Sequence, residues 1–201
     1  MKRILWIILV AAAGVLLGWL ASQWLSGAKH DALSEAPRGG DFTLNAPNGP
    51  FQLQAQHGKL VLIYFGYTYC PDVCPTNLAL MAQALNAMSE QELVGVQGVF
   101  ISVDPERDTL ERLALYTDHF HPNIIGVTGT PDEVARVAAQ YGAAYLKVEG
   151  ESQGGYLVDH SSNTYVIAQD GSLHTILPHA TPAQDILKLS RELLAQTQSS
   201  H

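Results

Sequence analysis

Two kinds of hydrophobic pattern divide this chain. From Ile4 to Leu25 apolar residues run almost without a break, interrupted only by the polar Ser22 and Gln23. At roughly 1.5 Å per residue, such a segment can cross a hydrocarbon core about 30 Å thick. From Ser26 to Asp41 the residues turn small and polar, with Pro37, Gly39 and Gly40, the composition of a tether. Beyond the tether the apolar positions come in short bursts separated by turn residues, the pattern of a folded domain.

Within that domain, Phe42–Leu44 and Phe51–Gln54 flank the turn cluster Asn45-Ala-Pro-Asn-Gly-Pro50 and predict an edge hairpin. Leu60–Phe65 is continuously apolar and rich in Val, Ile, Tyr and Phe, which suits a buried central strand. The loop Gly66–Pro75 follows, then a helical pattern with Leu78, Leu80, Met81, Leu85 and Met88 on one face. The order then repeats: a strand near Val99–Val103, a helix from about Thr109 to Phe120, a strand near Ile124–Thr128 and a helix over Pro131–Tyr141. Thr130 as cap, Pro131 at the first helical position and Gly142 as stop bound the last of these. Thr164–Ala168 and Ser172–Leu177 flank the hairpin signal Asp170-Gly171, and Thr181 starts a final helix to about Gln196. This order predicts an α/β, thioredoxin-like fold, with a central mixed sheet flanked by helices and an N-terminal hairpin. The expected division is a single N-terminal transmembrane helix over 1–25, a linker over 26–41, the domain over 42–196 and a disordered tail over 197–201.

Composition agrees with a single core: 47% of the 201 residues are hydrophobic and 15% charged, which is not the make-up of a disordered chain. The formal charge of −8, with no basic run in the domain, excludes nucleic acid as a partner, because phosphate recognition needs concentrated positive charge. Lys2 and Arg3 precede the apolar span and Lys29 stands alone after it. That asymmetry predicts a single-pass anchor with its N-terminus in the cytoplasm and its domain outside. A cleaved signal peptide is the rival, but the small residues Ala11 to Ala13 that would serve its cleavage fall inside the span. All three Trp (Trp6, Trp19, Trp24) lie in this segment, two near its ends where amphipathic rings favour the membrane interface.

The chain's two cysteines form the motif Cys70-Pro-Asp-Val-Cys74 where a helix begins. Unpaired N–H groups and about half a positive charge at a helix N-terminus favour thiolate over thiol. A thiolate pair there can exchange electrons as dithiol and disulfide, or bind a soft metal. A purely structural disulfide is a poor use of so short a loop, since closing it removes little chain entropy. Redox thioredoxins place two residues between their cysteines; three intervene here, which permits a wider bite on a metal.

Two thiolates suit Cu(I), and imidazole is acceptable to both copper oxidation states, so a histidine is the natural third ligand. Of the eight available, His30 lies in the tether and His201 in the tail. His57, His119 and His121 read as surface residues, while His174 and His179 carry no distinguishing context. His160 stands out in Tyr156-Leu-Val-Asp-His-Ser-Ser162, just before a strand. The residues alone leave it open between a ligand and a hydrogen-bonded loop histidine.

The run Phe65-Gly-Tyr-Thr-Tyr-Cys-Pro-Asp-Val-Cys-Pro-Thr-Asn-Leu78 resembles the signature of the Sco/SenC family of copper proteins. Ile101-Ser-Val-Asp-Pro-Glu-Arg-Asp-Thr109 and Tyr156–Val166 are similar to its second and third blocks, in the same order, and Gly39–Leu44 is similar to its domain entry. The resemblance implies a site for one copper, Cu(I) or Cu(II), made by Cys70, Cys74 and His160. It also implies a metallochaperone that helps build the dinuclear copper centre (CuA) of cytochrome c oxidase subunit II. For a bacterial chain it places the domain in the periplasm, anchored to the inner (cytoplasmic) membrane. Another periplasmic copper chaperone, or a thiol reductant, is a further expected partner. Tyr69 departs from the family at a position where many relatives have His; that position is not a family ligand.

Other residues of these blocks carry weaker expectations. Asp72 either tunes the copper's charge or stabilises a turn. Asp159 either orients His160 by a hydrogen bond or meets solvent. Asp104, Glu106 and Arg107 match a family block without an assigned role, and Met81 and Met88 read as packing. Two rival functions remain: a membrane-anchored thiol-disulfide oxidoreductase that uses Cys70 and Cys74 to reduce the CuA-site cysteines, and a copper or redox sensor. Peroxidase chemistry is disfavoured because Ile63 and Tyr67 stand where a peroxiredoxin needs Pro and Thr or Ser. Structural zinc is disfavoured because no fourth ligand is evident.

Overall fold

The computed structural model describes residues 14–19, 37–149 and 155–198. It divides into two units, Met1–Ala36 and Pro37–His201. In the first, residues 14–19 are helical, with Val15, Leu16, Leu17 and Trp19 exposed. Among the described residues no helix is long and apolar enough to cross a membrane. Apart from 14–19, the span expected over 4–25 lies outside the described residues, as do 26–36 of the linker and 199–201 of the tail.

The second unit begins with the expected hairpin, β1 (Thr43–Ala46) and β2 (Gly49–Gln52), antiparallel with Thr43 opposite Gln52. It continues through β3 (Leu60–Gly66), α1 (Val73–Asn86), α2 (Glu90–Val94), β4 (Val96–Ser102), α3 (Leu110–Phe120), β5 (Ile124–Val127) and α4 (Pro131–Gln140). Then come β6 (Tyr145–Glu149), β7 (Tyr156–His160), β8 (Thr164–Ile167), β9 (Leu173–Leu177) and α5 (Ala183–Gln198). Five strands form one mixed sheet in the order β5-β4-β3-β8-β9, parallel from β5 to β3 and antiparallel from β3 to β9. This is the thioredoxin-like arrangement the element order predicts.

β3 is buried along its whole length, as its unbroken apolar run requires of a strand covered on both faces. Successive side chains point to opposite faces, and ring contacts show what covers each. Tyr64 stacks on Phe100, which meets Tyr116 of α3, while Phe65 packs against Tyr141 at the end of α4 and edge-on to Tyr165. Helices therefore cover both faces, and the C-terminal end of β3 opens directly into the cysteine loop. α4 starts as its sequence predicts: Thr130 caps it in a capping box with Glu133, and Gly142 follows at φ +66° to end it. Residues 39 and 40 join the domain here, with Gly39 N–H donating to the Gln140 carbonyl and the Tyr141 hydroxyl to the Gly40 carbonyl.

Two elements lie outside the sequence expectation. α2 is short, but the signal for it stands in the chain: Ser89 and Glu92 form a complete capping box. The β6–β7 hairpin is a separate two-stranded sheet in which Tyr145 pairs with His160. Its strands are mostly exposed or half-buried, so they lack the apolar run that marks β3. As a consequence, His160 closes a strand of its own instead of sitting in a loop before β8.

Candidate metal centre

The Cys70–Cys74 motif straddles the start of α1. Cys74 lies in the first turn of the helix, Asp72 occupies the N-cap position without a side-chain capping bond, and Pro75 sits where a missing N–H costs no helical bond. Cys74 is fully buried and Cys70 is 9% exposed, so Cys74 is the deeper of the two residues. Both are free thiols. The buried position of the Cys74 sulfur depends on Gly66, the last residue of β3. A Cβ at Gly66 would stand 2.6 Å from Cys74 Sγ and 2.8 Å from the Phe100 ring.

His160 arrives from the other side. Its Nε2 lies 3.2 Å from Cys74 Sγ, and its Nδ1 lies 3.1 Å from the Ser161 carbonyl oxygen. An N–H on Nδ1 donating to that carbonyl leaves the Nε2 lone pair aimed at the sulfurs. Tyr64 and Tyr67 hold the ring edge-on, with centroids 6.0 and 5.8 Å away and planes near perpendicular. The ligand atoms of Cys70, Cys74 and His160 all lie within 4.8 Å of one another, the one such cluster among the described residues.

The two sulfurs divide a proton unequally. A hydrogen bond from the Cys74 thiol, opposed by burial and aided by His160 and by the backbone N–H groups of Asp72 and Cys74, holds the Cys70 thiol far below the ordinary thiol range. Burial, together with the hydrogen bond to Cys70, pushes Cys74 up. The two shifts run in opposite directions and favour the thiolate at Cys70. Burial also keeps the Tyr64 phenol protonated, since a second anion beside the thiolate would be unfavourable.

Of the five residues singled out in the sequence, the fold brings together Cys70, Cys74 and His160. Asp72 and Asp159 are exposed, Asp159 on the strand position whose side chain points away from His160's face. Sequence reasoning left out the residues that fix the site's frame. Asp108, 1% exposed, accepts from the Thr68 N–H at 2.9 Å, the Thr68 hydroxyl at 2.6 Å and the Ser102 hydroxyl at 2.6 Å. It thereby ties the cysteine loop to the end of β4, and burial raises its pKa against those three bonds. Asn77, one turn beyond Cys74, donates to the Tyr64 hydroxyl and the Ser162 carbonyl and accepts from the Ala180 N–H, joining β3 and two loops under the site. A Gly after a strand, or an Asp after Asp-Pro-Glu-Arg, carries no local mark of such a role.

The donor set fits copper: two sulfurs suit the cuprous ion, and the imidazole is acceptable to either oxidation state. Comparisons with known proteins point the same way. The chain is 36% identical to the mouse Protein SCO2 homolog, mitochondrial, over 191 residues, 91% of this chain and 75% of that protein. Its structure is similar to Arabidopsis thaliana ScoI with copper bound, with a TM-score of 0.72, 36% identity, and coverage of 79% of this chain and 98% of that one. It is likewise similar to Bradyrhizobium japonicum ScoI with copper bound, with a TM-score of 0.71, 36% identity, and coverage of 78% and 99%. The SCO1/SenC family pattern extends over residues 30–195. By that match across most of its length, this chain belongs to the SCO1/SenC family.

Proposed function

We propose that this protein carries one copper ion on Cys70, Cys74 and His160 and hands it to the CuA site of cytochrome c oxidase subunit II. In this reading the apolar segment over 4–25 anchors the chain in the inner membrane of a bacterium and the domain works in the periplasm. The observation that carries the proposal is the convergence of one imidazole on two sulfurs, with Nε2 3.2 Å from Cys74 Sγ. Three ligands, with no fourth acidic, sulfur or imidazole group in the cluster among the described residues, would leave a side of the ion open to a receiving ligand. A structural zinc site would instead be closed by four ligands. Cys70 is the more exposed of the two cysteines and the one that favours the thiolate, the natural first ligand for an entering metal.

The same asymmetry favours a second reading, thiol-disulfide exchange. The Cys70 thiolate attacks one sulfur of a substrate disulfide, forming a mixed disulfide and releasing the other sulfur as a thiolate that takes up the Cys74 proton. The Cys74 thiolate then attacks Cys70 Sγ and expels the second substrate sulfur as a thiolate, which water protonates, leaving Cys70–Cys74 as a disulfide. Anaerobic copper titration of the reduced protein beside a His160→Ala variant separates the two. Tight one-to-one binding, with a thiolate-to-Cu(II) absorption that weakens in the variant, is the expected result. No copper binding, with disulfide reduction intact in both proteins, would replace the carrier with the reductant.

A further inference from the structure

The loop from Ser102 to Asp108 supplies no ligand, yet it touches both halves of the metal centre. Asp108 reaches the cysteine side through Thr68. Asp104 and Arg107 reach the histidine side through Tyr156, the first residue of β7. Asp104 is fully buried, and a buried carboxylate is tolerated only when paired and hydrogen-bonded. Its two oxygens take the Arg107 Nε–H and, at 2.6 Å, the Tyr156 hydroxyl. Arg107 in turn donates through Nη1 to the Tyr156 carbonyl at 2.9 Å and lays its guanidinium 3.6 Å from the centroid of the Tyr156 ring. The same guanidinium stands 4.9 Å from the centroid of Tyr69, the residue before Cys70. Lys147 of β6 adds a second tie to this loop by pairing with Glu106 at 2.7 Å.

Tyr156, Val158 and His160 share one face of β7, the face turned toward the domain. At about 3.3 Å per residue, Tyr156 and His160 lie roughly 13 Å apart along the strand. β7 pairs only with β6, so no strand of the main sheet holds it in register with the cysteine loop. We propose that Arg107 is a positioning residue of the metal centre: gripped by Asp104 and stacked on Tyr156, it clamps β7 at the end opposite His160 and sets how firmly the imidazole meets the two sulfurs. This inference rests on the copper reading above. Cuprous copper is satisfied by two thiolates, whereas cupric copper draws more on the imidazole, so loosening the clamp lowers cupric affinity selectively.

The test uses the full-length protein with Arg107→Met, Arg107→Lys, His160→Ala and the Arg107→Met/His160→Ala pair. Each is titrated anaerobically with Cu(I) and, separately, with Cu(II), and amide hydrogen exchange is followed in the metal-free state. Arg107→Met is expected to lower cupric affinity about ten-fold, the order found for groups that orient metal-bound histidines, with cuprous affinity within about two-fold of wild type. Arg107→Lys keeps a charge over Tyr156 but not the forked donors, and should fall between. The pair should lose little beyond His160→Ala alone, because both changes act through one imidazole. Equal losses for both oxidation states, or additive losses in the pair, would overturn the clamp and leave Arg107 a general stabiliser. Should Arg107→Met fail to fold, Tyr156→Phe removes only the hydroxyl bond to Asp104 and should give the same selective loss at a few-fold; unchanged cupric binding there overturns the proposal. If wild type takes up no copper, the copper reading fails and hydrogen exchange decides the clamp. Faster exchange confined to the β6–β7 hairpin in Arg107→Met supports it, and exchange identical to wild type refutes it.

Discussion

The sulfur half and the imidazole half of the metal centre are built to different standards. The cysteines hang from β3 and α1, where every β3 residue is buried and the first turn of the helix is pinned by Asn77 and Tyr64. The histidine hangs from a two-stranded sheet in which Val158 is the only buried residue of ten. Dense packing on both faces gives a strand one position, while a peripheral hairpin takes the position its few ties allow. The chain thus presents fixed sulfurs and an imidazole held by side-chain ties, a division that suits the carrier role proposed above.

The strongest way to break this comparison is to remove one ligand from each half. Cys74→Ser should abolish tight binding of both cuprous and cupric copper, whereas His160→Ala should keep cuprous binding and weaken cupric binding with its charge-transfer band. Parallel anaerobic titrations check this, the cupric charge-transfer band weakening in His160→Ala and vanishing in Cys74→Ser; equal losses in the two variants would show the halves to be equivalent. A smaller effect is expected at the frame of the sulfur half. Asp108→Ala leaves the Thr68 N–H, the Thr68 hydroxyl and the Ser102 hydroxyl without their buried acceptor, at about 3 kcal/mol in total. Urea unfolding should show a lower midpoint at unchanged slope.

Gly66→Ala sharpens the contrast further, because its methyl group meets Cys74 Sγ and the Phe100 ring in a region with no slack. Overpacking of this kind costs about 1–3 kcal/mol. The loss should appear in thermal unfolding together with weakened copper binding, and normal binding would mean that the sulfur half yields more than its burial implies. The smallest effect is a control. Arg191 of α5 pairs with Glu92 of α2 at 2.6 Å and, with help from Ser89, holds the Glu92 carboxyl down at about 2. A folded-state pKa below the unfolded one stabilises above the unfolded value of about 4.5, and the gain is lost as pH falls toward 2. Because the pair is solvent-screened, Glu92→Gln should cost under about 1 kcal/mol at neutral pH and progressively less as pH falls toward 2, with copper binding unaffected. A change in copper affinity would show that the site responds to distant stability.

Legibility in the sequence followed packing density. Strands β3, β4, β5 and β8 could be read because their apolar runs are the direct signature of two-sided burial, β9 because the Asp170-Gly171 turn announces it, and the α4 caps because they are local hydrogen-bond chemistry. The β6–β7 hairpin could not, since exposed strands such as Tyr-Leu-Lys-Val-Glu look like loop. Gly66 and Asp108 escaped for another reason. Their roles are toward Cys74 and Thr68, eight and forty positions away, and nothing adjacent to them in the chain records it.

The amino-acid sequence by itself determined the α/β alternation, the placement of two cysteines at a helix start and, through three ordered blocks, the family. These are set by neighbours within a turn or a strand, where spacing alone fixes geometry. Only the tertiary structure decided that His160 comes to 3.2 Å from Cys74, that burial favours the thiolate at Cys70 over Cys74, and that Asp104 and Arg107 join the histidine strand to the cysteine loop. Each depends on burial and on contacts between residues far apart in the chain, and those distances exist only once the core has closed.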